Sequence, residues 1–398
     1  MKALLLENVH ALASELLTDA GFDVHTRTGS LDEAELIAAL RGVRVLGLRS
    51  NTHVTEAVLD ACPDLEAIGA FCIGTNQIDL AAAAARGVAV FNAPFSNTRS
   101  VVELAIAEII MMARRLSEKD KGLHAGVWDK QAAGSHEIRG RSLGIVGYGN
   151  IGSQLSVIAE MLGMQVFYYD VEDRLALGNA RRCNSLDELL DVSETVSLHV
   201  DGRGANSGFF GERQFARMRR RSLFLNLSRG FVVDYDSLAA HLRSGHIAGA
   251  AVDVFPTEPK NRGDAFVSPL QGIPNVVLTP HIGGSTEEAQ EDIGRFVALK
   301  LRDYSLLGNT SMSVNLPSVT LRVEPGGSRL GYVHRNTPGV LATINNHLAD
   351  AGVNVEGQLL GTLGDIGYVV VDTHDRVPDA VLDSLRDLDV TIRLRQIG

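Results

Sequence analysis

Between residues 2 and 283, short runs of apolar and β-branched residues alternate with stretches in which apolar residues recur every three or four positions. The first pattern is typical of buried strands and the second of amphipathic helices. Strands that alternate with helices form parallel sheets with crossover connections, so we expect an α/β fold. The first runs predict five strands, which would make one small doubly wound domain, at residues 2–7, 22–27, 43–49, 65–72 and 88–92.

A long apolar helix, predicted at residues 99–116, leads into a second set of strands. This set has six members, at residues 143–147, 166–170, 195–200, 222–227, 250–255 and 276–279. Six such strands match a dinucleotide-binding, or Rossmann, domain. A helix predicted at residues 286–304 would return the chain to the first domain. We therefore expect a Rossmann domain inserted in a flavodoxin-like domain, with a cleft between the two.

After residue 315 the pattern changes, because Pro317, Pro325 and the pair Gly326 and Gly327 predict a linker and a hinge. The remaining order of strand, helix, strand, strand, helix, strand is typical of a ferredoxin-like domain. Its strands are predicted at residues 332–335, 353–360, 368–374 and 391–396, and its helices at residues 339–351 and 378–388. The expected domains are residues 1–96 with 285–325, residues 97–284, and residues 326–398.

Composition and charge exclude several classes of protein. The chain has 398 residues, more than one hydrophobic core usually serves, and its 45% hydrophobic and 21% charged residues are ordinary for a globular protein. A net charge of -11 would repel a phosphate backbone, so nucleic acid is not an expected partner. Three irregularly spaced cysteines fit neither a disulfide framework nor a zinc site, so we expect no metal and a reducing cytoplasm. No signal peptide or membrane span is expected, since the apolar stretch behind Lys2 is short and Glu108 interrupts the most apolar helix.

A glycine-rich turn is the first candidate for chemistry. Gly147, Gly149 and Gly152 form a G-x-G-x-x-G pattern at the end of a predicted strand, and Asn150 and Ile151 lie within it. Such a turn lets the backbone approach a pyrophosphate closely at a helix N-terminus. Asp170 ends the next predicted strand, where a carboxylate accepts hydrogen bonds from ribose hydroxyls and repels a 2′-phosphate, so NAD is favoured over NADP. A purely structural turn is the alternative, but it explains only the glycines and not the carboxylate.

A catalytic set is predicted at the ends of three later strands: Arg229, Glu258 and His281. Reduction of a 2-oxo acid needs a cation for the carboxylate and a proton donor for the developing alkoxide. A guanidinium and an imidazole supply these, and a carboxylate beside the imidazole keeps it protonated. Each residue alone could be structural, as a surface cation, a turn residue or a core histidine. Three such residues at successive strand ends favour catalysis, because ligands of α/β sheets bind there.

These motifs resemble those of the D-isomer-specific 2-hydroxyacid dehydrogenases over roughly residues 1–315. The resemblance rests on the glycine turn and on the segments around Ser228, Asp253 and His281. It implies the roles just argued for the arginine, glutamate and histidine, and it places Asp253 near the nicotinamide carboxamide. It also implies further cofactor contacts at Leu227, Ser228, Gly283 and Gly284.

Residues 70–79, 91–100 and 126–130 narrow the resemblance to the branch of phosphoglycerate dehydrogenases with a C-terminal regulatory domain. That branch implies NAD-dependent oxidation of 3-phosphoglycerate, the first step of the phosphorylated route to serine. The implied substrate contacts are Arg49, Ser50, Asn97 and Lys130. Arg49 considered without the family could equally be a surface ion-pair partner.

Several positions depart from the pattern of that branch. Asn51 and Thr28 stand where basic residues are usual, the loop 201–207 lacks a usual proline, and Arg219, Arg220 and Arg221 replace a usual Lys-Pro-Gly turn. These departures leave open a dehydrogenase of another 2-hydroxy acid, such as 2-hydroxyglutarate. A non-catalytic NAD(H)-sensing regulator on the same fold is a further alternative.

The C-terminal segments 334–341 and 352–354 resemble an ACT domain, which binds amino acids at domain interfaces. The resemblance implies an L-serine effector held by His334, Asn336 and Asn354, whose side chains suit carboxylate, ammonium and hydroxyl groups. Paired regulatory domains imply a homotetramer. Trp128 could lie at a subunit contact or in an ordinary core.

Overall fold

The computed structural model describes residues 1–259, 263–322 and 328–397. The predicted hinge, Gly326 and Gly327, and Pro325 lie outside the described residues. Internal contacts divide the chain into two units. One is continuous, Asn97–Ala289, and the other joins the two ends of the chain, Met1–Ser96 and Gln290–Gly398.

Five parallel strands make the first sheet. Strands β1 to β5 are Lys2–Leu5, Asp23–Thr26, Val45–Leu48, Ala67–Ala70 and Ala89–Asn92, and helices α1 to α4 are Ala11–Asp19, Glu33–Ala39, Glu56–Ala61 and Leu80–Ala85. The order β2-β1-β3-β4-β5 is the flavodoxin-like order. Strands β3, β4 and β5 are buried throughout, which explains why polar side chains are absent from β3 and β4 and occur in β5 only at its last residue, Asn92. The expected α/β fold is confirmed.

Seven parallel strands make the second sheet, in the continuous unit. Strands β6 to β12 are Ser142–Val146, Gln165–Tyr169, Arg181–Arg182, Thr195–Leu198, Ser222–Asn226, Ile247–Val252 and Val276–Leu278. Helices α5 to α10 are Thr98–Ala113, Leu116–His124, Asn150–Met161, Leu186–Val192, Glu212–Arg217 and Tyr235–Arg243. The order β12-β11-β10-β9-β6-β7-β8 is the Rossmann order with one strand added at the β12 edge.

Two elements of this unit differ from the sequence prediction. Six strands were expected, and the seventh, β8, is a two-residue exposed strand with no apolar run to mark it. The helix expected at residues 99–116 is wrong in its last turn, because Arg115 has a left-handed φ of 52°. That residue ends α5 and precedes a second, more polar helix, α6.

The third sheet has four antiparallel strands. Helix α11, Glu287–Leu307, precedes it, and its own elements are β13 Ser328–Arg335, α12 Val340–Asp350, β14 Val355–Leu363, β15 Ile366–Thr373, α13 Asp379–Arg386 and β16 Thr391–Ile397. The order β14-β15-β13-β16 is ferredoxin-like, and this part of the expected fold is confirmed. An apolar layer of Val340, Ile344, Leu382 and Leu385 joins the two helices to the sheet.

Two arginines, one buried and one half-buried, dock this four-stranded sheet on the lobe of the first sheet, within one unit. Arg395 donates hydrogen bonds to Glu66 Oε2 and to the Tyr304 carbonyl, both at 3.1 Å, and its guanidinium lies 3.9 Å from the Tyr304 ring centre. Arg393 donates to the carbonyls of Leu65 at 2.8 Å and Arg86 at 3.0 Å. The segment expected as a third, separate domain is therefore grouped with the first lobe.

Candidate active site and nucleotide turn

The glycine turn joins β6 to α7, and its three glycines differ in what surrounds them. Gly147 has φ +92°, and a Cβ there would lie 2.6 Å from the His199 carbonyl oxygen. A Cβ on Gly152 would collide with the Gly147 carbonyl, whereas one on Gly149 would meet nothing within 4 Å. The first and third glycines therefore build the turn, and the second leaves open space before the α7 N-terminus. That space suits a pyrophosphate, which the free N–H groups of a helix start attract.

Asp170 follows β7 and faces this turn. Its Oδ2 accepts a hydrogen bond from the Tyr148 N–H at 2.7 Å, and its Oδ1 accepts one from the Glu172 N–H at 2.9 Å. Each carboxylate oxygen keeps a second lone pair for a ribose hydroxyl. Asn150 and Ile151 start α7 beside it, and Asn150 is exposed.

Asp253 follows β11 and organises the turn after β12. Its Oδ1 accepts hydrogen bonds from the Thr279 hydroxyl at 2.6 Å and from the Ile282 N–H at 2.8 Å, and its Oδ2 accepts one from the Gly283 N–H at 2.8 Å. A Cβ on Gly283 would lie 2.9 Å from that same Oδ2. Because Asp253 is buried, the turn that carries His281 is fixed from within the domain.

His281 and Glu258 form the central pair of the site. The imidazole Nδ1 lies 2.8 Å from Glu258 Oε2, while Glu258 Oε1 accepts a hydrogen bond from the Phe255 N–H at 3.0 Å. The hydrogen bond with Glu258 raises the pKa of His281 above its ordinary value, against burial and the nearby Arg229, which lower it. Burial alone would raise the pKa of Glu258, but its bonds from His281 and Phe255 outweigh burial and lower it. The pair therefore favours an imidazolium beside a carboxylate, with Nδ1 rather than Nε2 engaged by Glu258.

Arg229 follows β10, on a loop that lies close to the loop that follows β11. Its Nη1 donates to the Ser228 carbonyl at 2.7 Å, and its charge acts on both Glu258 and His281. Gly230 permits the approach, since a Cβ there would collide with the backbone of Phe255. The structure thus brings all three predicted catalytic residues into one region.

Two buried residues that sequence reasoning missed hold this loop. Asn226 Oδ1 accepts hydrogen bonds from the Ser228 N–H at 3.1 Å and the Ser228 hydroxyl at 2.7 Å, and its Nδ2 donates to the Arg229 carbonyl at 3.1 Å. Tyr235 accepts a hydrogen bond from Asn226 Nδ2 at 2.9 Å and donates one to the Val254 carbonyl at 2.7 Å. Leu227 is buried beneath the same loop. The sequence signal that could have identified Asn226 is a polar residue at the end of an apolar strand.

The other candidates in this unit have different surroundings. Asn97 packs against Gly284, where a Cβ would collide with the Asn97 amide. Lys130 is exposed, as is Trp128, whose side chain is 80% accessible. An ordinary core position for Trp128 is therefore excluded.

Arg49 and Ser50 lie in the other unit, just past the end of β3. Arg49 makes no ion pair with any residue that the structure describes, so the ion-pair alternative has no support. Glu7, a third residue missed from the sequence, is buried and accepts hydrogen bonds from the N–H groups of Ser50 and Asn51 at 3.0 Å and of Thr52 at 2.7 Å. A buried carboxylate thereby fixes the backbone of the loop that carries Arg49.

The three candidate effector residues lie on the four-stranded domain. His334 is buried on β13, its Nδ1 bonds the Arg335 carbonyl at 2.8 Å, and its Nε2 has no partner among the described residues. Burial lowers the pKa of His334, which therefore favours the neutral imidazole. Asn336 and Asn354 are exposed, and Asn336 Nδ2 donates to the Gly364 carbonyl at 3.0 Å.

In the part of the chain that the structure describes, no group of three or more His, Cys, Asp or Glu residues is placed to hold a metal ion. No helix there is both long enough and apolar enough to cross a membrane.

Two parts of the chain match known protein families. Residues 106–283 match the NAD binding domain of the D-isomer specific 2-hydroxyacid dehydrogenases, and residues 330–393 match the AHAS small subunit-like ACT domain. The chain is therefore an NAD-dependent dehydrogenase of the 2-hydroxyacid class with an ACT domain, and the expected cofactor is confirmed.

Individual relatives narrow the class. The D-3-phosphoglycerate dehydrogenase of Escherichia coli K12 is 50% identical over 398 residues, which cover 99% of this chain and 97% of the relative. That of Haemophilus influenzae is 48% identical over 396 residues, with the same coverage. The crystal structure of the TT0316 protein from Thermus thermophilus is 29% identical, has a TM-score of 0.68, and covers 75% of this chain and 94% of its own. The chain belongs to the D-3-phosphoglycerate dehydrogenase family, as its motifs indicated.

Proposed function

We propose that this chain oxidises 3-phospho-D-glycerate to 3-phosphohydroxypyruvate with NAD, the first step of the phosphorylated route to serine, in the cytoplasm. The observation that carries the proposal is the His281–Glu258 pair, 2.8 Å apart beside Arg229, in a chain 50% identical to an enzyme of that name. The same three residues leave a non-catalytic NAD(H) sensor without support.

The chemistry divides among named side chains. Bound NAD supplies the hydride acceptor for the carbon that carries the hydroxyl. His281 Nε2 takes the hydroxyl proton, because Nδ1 is held by Glu258, and the carboxylate stabilises the imidazolium that results. Arg229 binds the substrate carboxylate, for which its planar fork is suited. The glycine turn and Asp170 would hold the cofactor, and Leu227, Ser228, Asp253, Gly283 and Gly284 would supply further contacts to it.

The phosphate of the substrate needs a second cation, and Arg49 is the proposed one. Its loop is fixed by Glu7, and Arg49 makes no competing ion pair with the described residues. Ser50, Asn97 and Lys130 are proposed as further substrate contacts.

The test of this assignment compares substrates with and without a phosphate. The variant Arg49→Ala is expected to raise the KM for phosphohydroxypyruvate roughly 10- to 100-fold, the loss of a charge-assisted contact, and to leave hydroxypyruvate reduction and NADH binding nearly unchanged. Arg41→Ala, an exposed arginine of the same lobe, is the control. An unchanged KM in Arg49→Ala would refute the assignment.

The second candidate substrate is 2-oxoglutarate, because Asn51 carries no positive charge to bind a phosphate, and its N–H donates to Glu7. Reduction of 2-oxoglutarate measured beside phosphohydroxypyruvate decides between them. The proposal requires the larger kcat/KM for the phosphorylated substrate, and the reverse order would favour a 2-hydroxyglutarate dehydrogenase.

We further propose that L-serine inhibits the enzyme at His334, Asn336 and Asn354. The two exposed amides and the unpartnered imidazole nitrogen of His334 support this, since they can satisfy an amino acid's polar groups. Asn336→Ala and Asn354→Ala in the full chain are expected to lose inhibition while keeping activity. Asn345→Ala, whose amide bonds Gln358 in the same domain, is the control. Retained inhibition in the first two variants would contradict the proposal.

A homotetramer is proposed with this site. Strand β14 lies at one edge of its sheet and exposes Leu359, Leu360 and Leu363, features that suit pairing with a second copy. The exposed Trp128 is proposed as a second subunit contact. Sedimentation equilibrium of the full chain, compared with Trp128→Ala, tests the assembly; a monomeric wild type would refute it.

A further inference from the structure

A cavity of about 460 Å³ opens in the continuous unit at the edge of the sheet opposite the glycine turn. Its lining includes Arg221, Ile247 and Asn275, which lie at the starts of β10, β11 and β12. The strands are parallel, so this edge carries their amino ends, while the candidate active site lies at their carboxyl ends. The cavity is therefore distinct from the site already described.

Four guanidinium groups line the cavity in a chain whose net charge is -11: those of Arg115, Arg141, Arg221 and Arg243. Only two of them pair with a carboxylate among the described residues, Arg115 with Glu118 and Arg141 with Glu194, the latter at 3.3 Å. The Nε of Arg141 is buried without a hydrogen-bond partner there. Among the described residues, Arg243 donates only to the Pro269 carbonyl, at 2.8 Å. Positive charge thus exceeds negative charge around an open volume.

The guanidinium groups of Arg115 and Arg221 lie near each other. No carboxylate among the described residues pairs with Arg221. A Cβ on Gly134 would lie 3.0 Å from Arg115 Nη1 and 3.8 Å from Arg221 Nη2, so both guanidinium groups border the same point. Glu118 also lines the cavity and already pairs with Arg115, so of these two guanidinium groups only that of Arg221 has no carboxylate partner among the described residues. An uncompensated cation next to an open volume attracts an anion.

The backbone of Arg221 adds an independent observation. Its φ is +65°, a left-handed conformation that glycine adopts freely and that a long side chain adopts at a cost. The same turn departs from the family pattern, with three arginines in succession. A strained backbone persists only where the surrounding structure holds it, and such positions cluster at active sites and ligand clamps. What the strain secures at this position is a guanidinium in the cavity.

We propose that this cavity binds a small polyanion that carries at least two phosphate or carboxylate groups. Arginine forks bind either group through two parallel hydrogen bonds, and the cavity volume exceeds that of a single inorganic phosphate. Arg221 and Arg243 supply the cations that no described carboxylate neutralises, and Arg141 Nε supplies a buried donor. The proposal is independent of the substrate assigned to the dehydrogenase.

Calorimetric titration of the full chain with inorganic pyrophosphate tests it, at about 0.15 M salt and with saturating NADH to fill the glycine turn. The wild type is expected to bind pyrophosphate, and Arg221→Gly to bind it about tenfold or more weakly, the loss of one charge-assisted contact. Arg221→Gly keeps the fold, because glycine relieves the left-handed conformation. Citrate in a second series distinguishes carboxylate from phosphate recognition.

Arg220→Gly is the matched control, since it removes one charge from the same turn at a residue that does not line the cavity. It is expected to bind pyrophosphate as the wild type does. Equal weakening in both variants, or no binding of either anion to the wild type, would overturn the proposal. An unchanged affinity of Arg221→Gly for pyrophosphate would also overturn the proposal, even if that variant changed the oligomeric mass.

Discussion

At the scale of single residues, His281 combines an unusual backbone with a shifted proton affinity. Its φ is 54°, and Asp253 fixes the turn that imposes this conformation. Glu258 raises the pKa of the imidazole, so the group that exchanges the substrate proton titrates above its ordinary range. The two directions of the reaction need opposite protonation states of this one ring.

The pH profile therefore has a predictable sign. Oxidation needs neutral His281, so its kcat/KM is expected to rise with pH through the raised pKa, and reduction is expected to fall through it. Glu258→Gln removes the charge that raises this pKa, so both profiles are expected to move to lower pH, and oxidation is expected to slow by on the order of 100-fold. Initial rates in both directions from pH 5 to pH 10 measure this; unmoved profiles in Glu258→Gln would contradict the pairing.

Glu108 is a second residue with an expected pH signature. It is 2% exposed, and neither carboxylate oxygen has a hydrogen-bond partner among the described residues. Burial, and then the charge of Asp253, raise the pKa of Glu108 from 4.5 to about 8. The unfolded chain loses this proton first, so stability falls as pH rises between those values, by on the order of 3 kcal/mol.

Glu108→Gln cannot ionise and is expected to abolish that part of the pH dependence. Calorimetric unfolding at pH 5 and pH 8 measures it, with the exposed Glu103→Gln on the same helix as the control. A wild-type loss of stability that persists undiminished in Glu108→Gln would assign the pH dependence to other groups.

Single residues were predictable where chemistry dictates their type. The sequence indicated that Arg229, Glu258 and His281 follow successive strands, and the structure brings them together. Asn226 and Glu7 were not predicted, because their role is to satisfy backbone groups of loops whose paths the sequence does not reveal. Glu7 lies more than forty positions from the N–H groups it binds.

At the scale of elements, the glycine turn separates a steric role from a binding role. Gly149→Ala adds a methyl group to open space, so it is expected to leave the unfolding temperature unchanged and to weaken NADH binding at least roughly tenfold. Gly152→Ala collides with the Gly147 carbonyl and is expected to cost about 2 kcal/mol or more of stability. Fluorescence titration with NADH and thermal unfolding measure both variants. A destabilised Gly149→Ala with intact NADH binding would invert the assignment.

Most elements followed from apolar periodicity, but two boundaries did not. Strand β8 has only two residues, both exposed arginines, and it owes its place to the neighbouring β7 rather than to its own sequence. The break at Arg115 occurs within a continuous run of good helix formers, and only the left-handed backbone of that residue marks it.

At the scale of the whole molecule, the docking of the four-stranded sheet depends on two arginines, one buried and one half-buried. Arg395→Met removes the partner of Glu66 Oε2 and of the Tyr304 carbonyl, although Arg44 still pairs with Glu66. We expect a loss of about 2 to 4 kcal/mol in the unfolding of this unit. Thermal unfolding compared with the exposed Arg376→Met measures it, and an equal unfolding temperature in the two variants would deny Arg395 this role.

The order of the domains could be predicted from the sequence, but the docking of the four-stranded sheet on the first lobe could not. Arg393 reaches the carbonyls of Leu65 and Arg86, more than three hundred positions away, and backbone carbonyls carry no sequence signature. Removing the four-stranded domain would break these contacts and expose buried Glu66. Serine inhibition is therefore tested with point variants of the full chain.

The divided unit has a consequence for synthesis of the chain. Phe91 belongs to the same apolar cluster as Val297, Leu301 and Tyr368, yet the whole segment Asn97–Ala289 is translated between them. At the usual pace of a ribosome this interval lasts roughly 10 to 40 s. The middle of the chain can fold as it emerges, while the amino-terminal lobe waits with apolar surface uncovered. That lobe is therefore where nascent chains of this protein most need a chaperone.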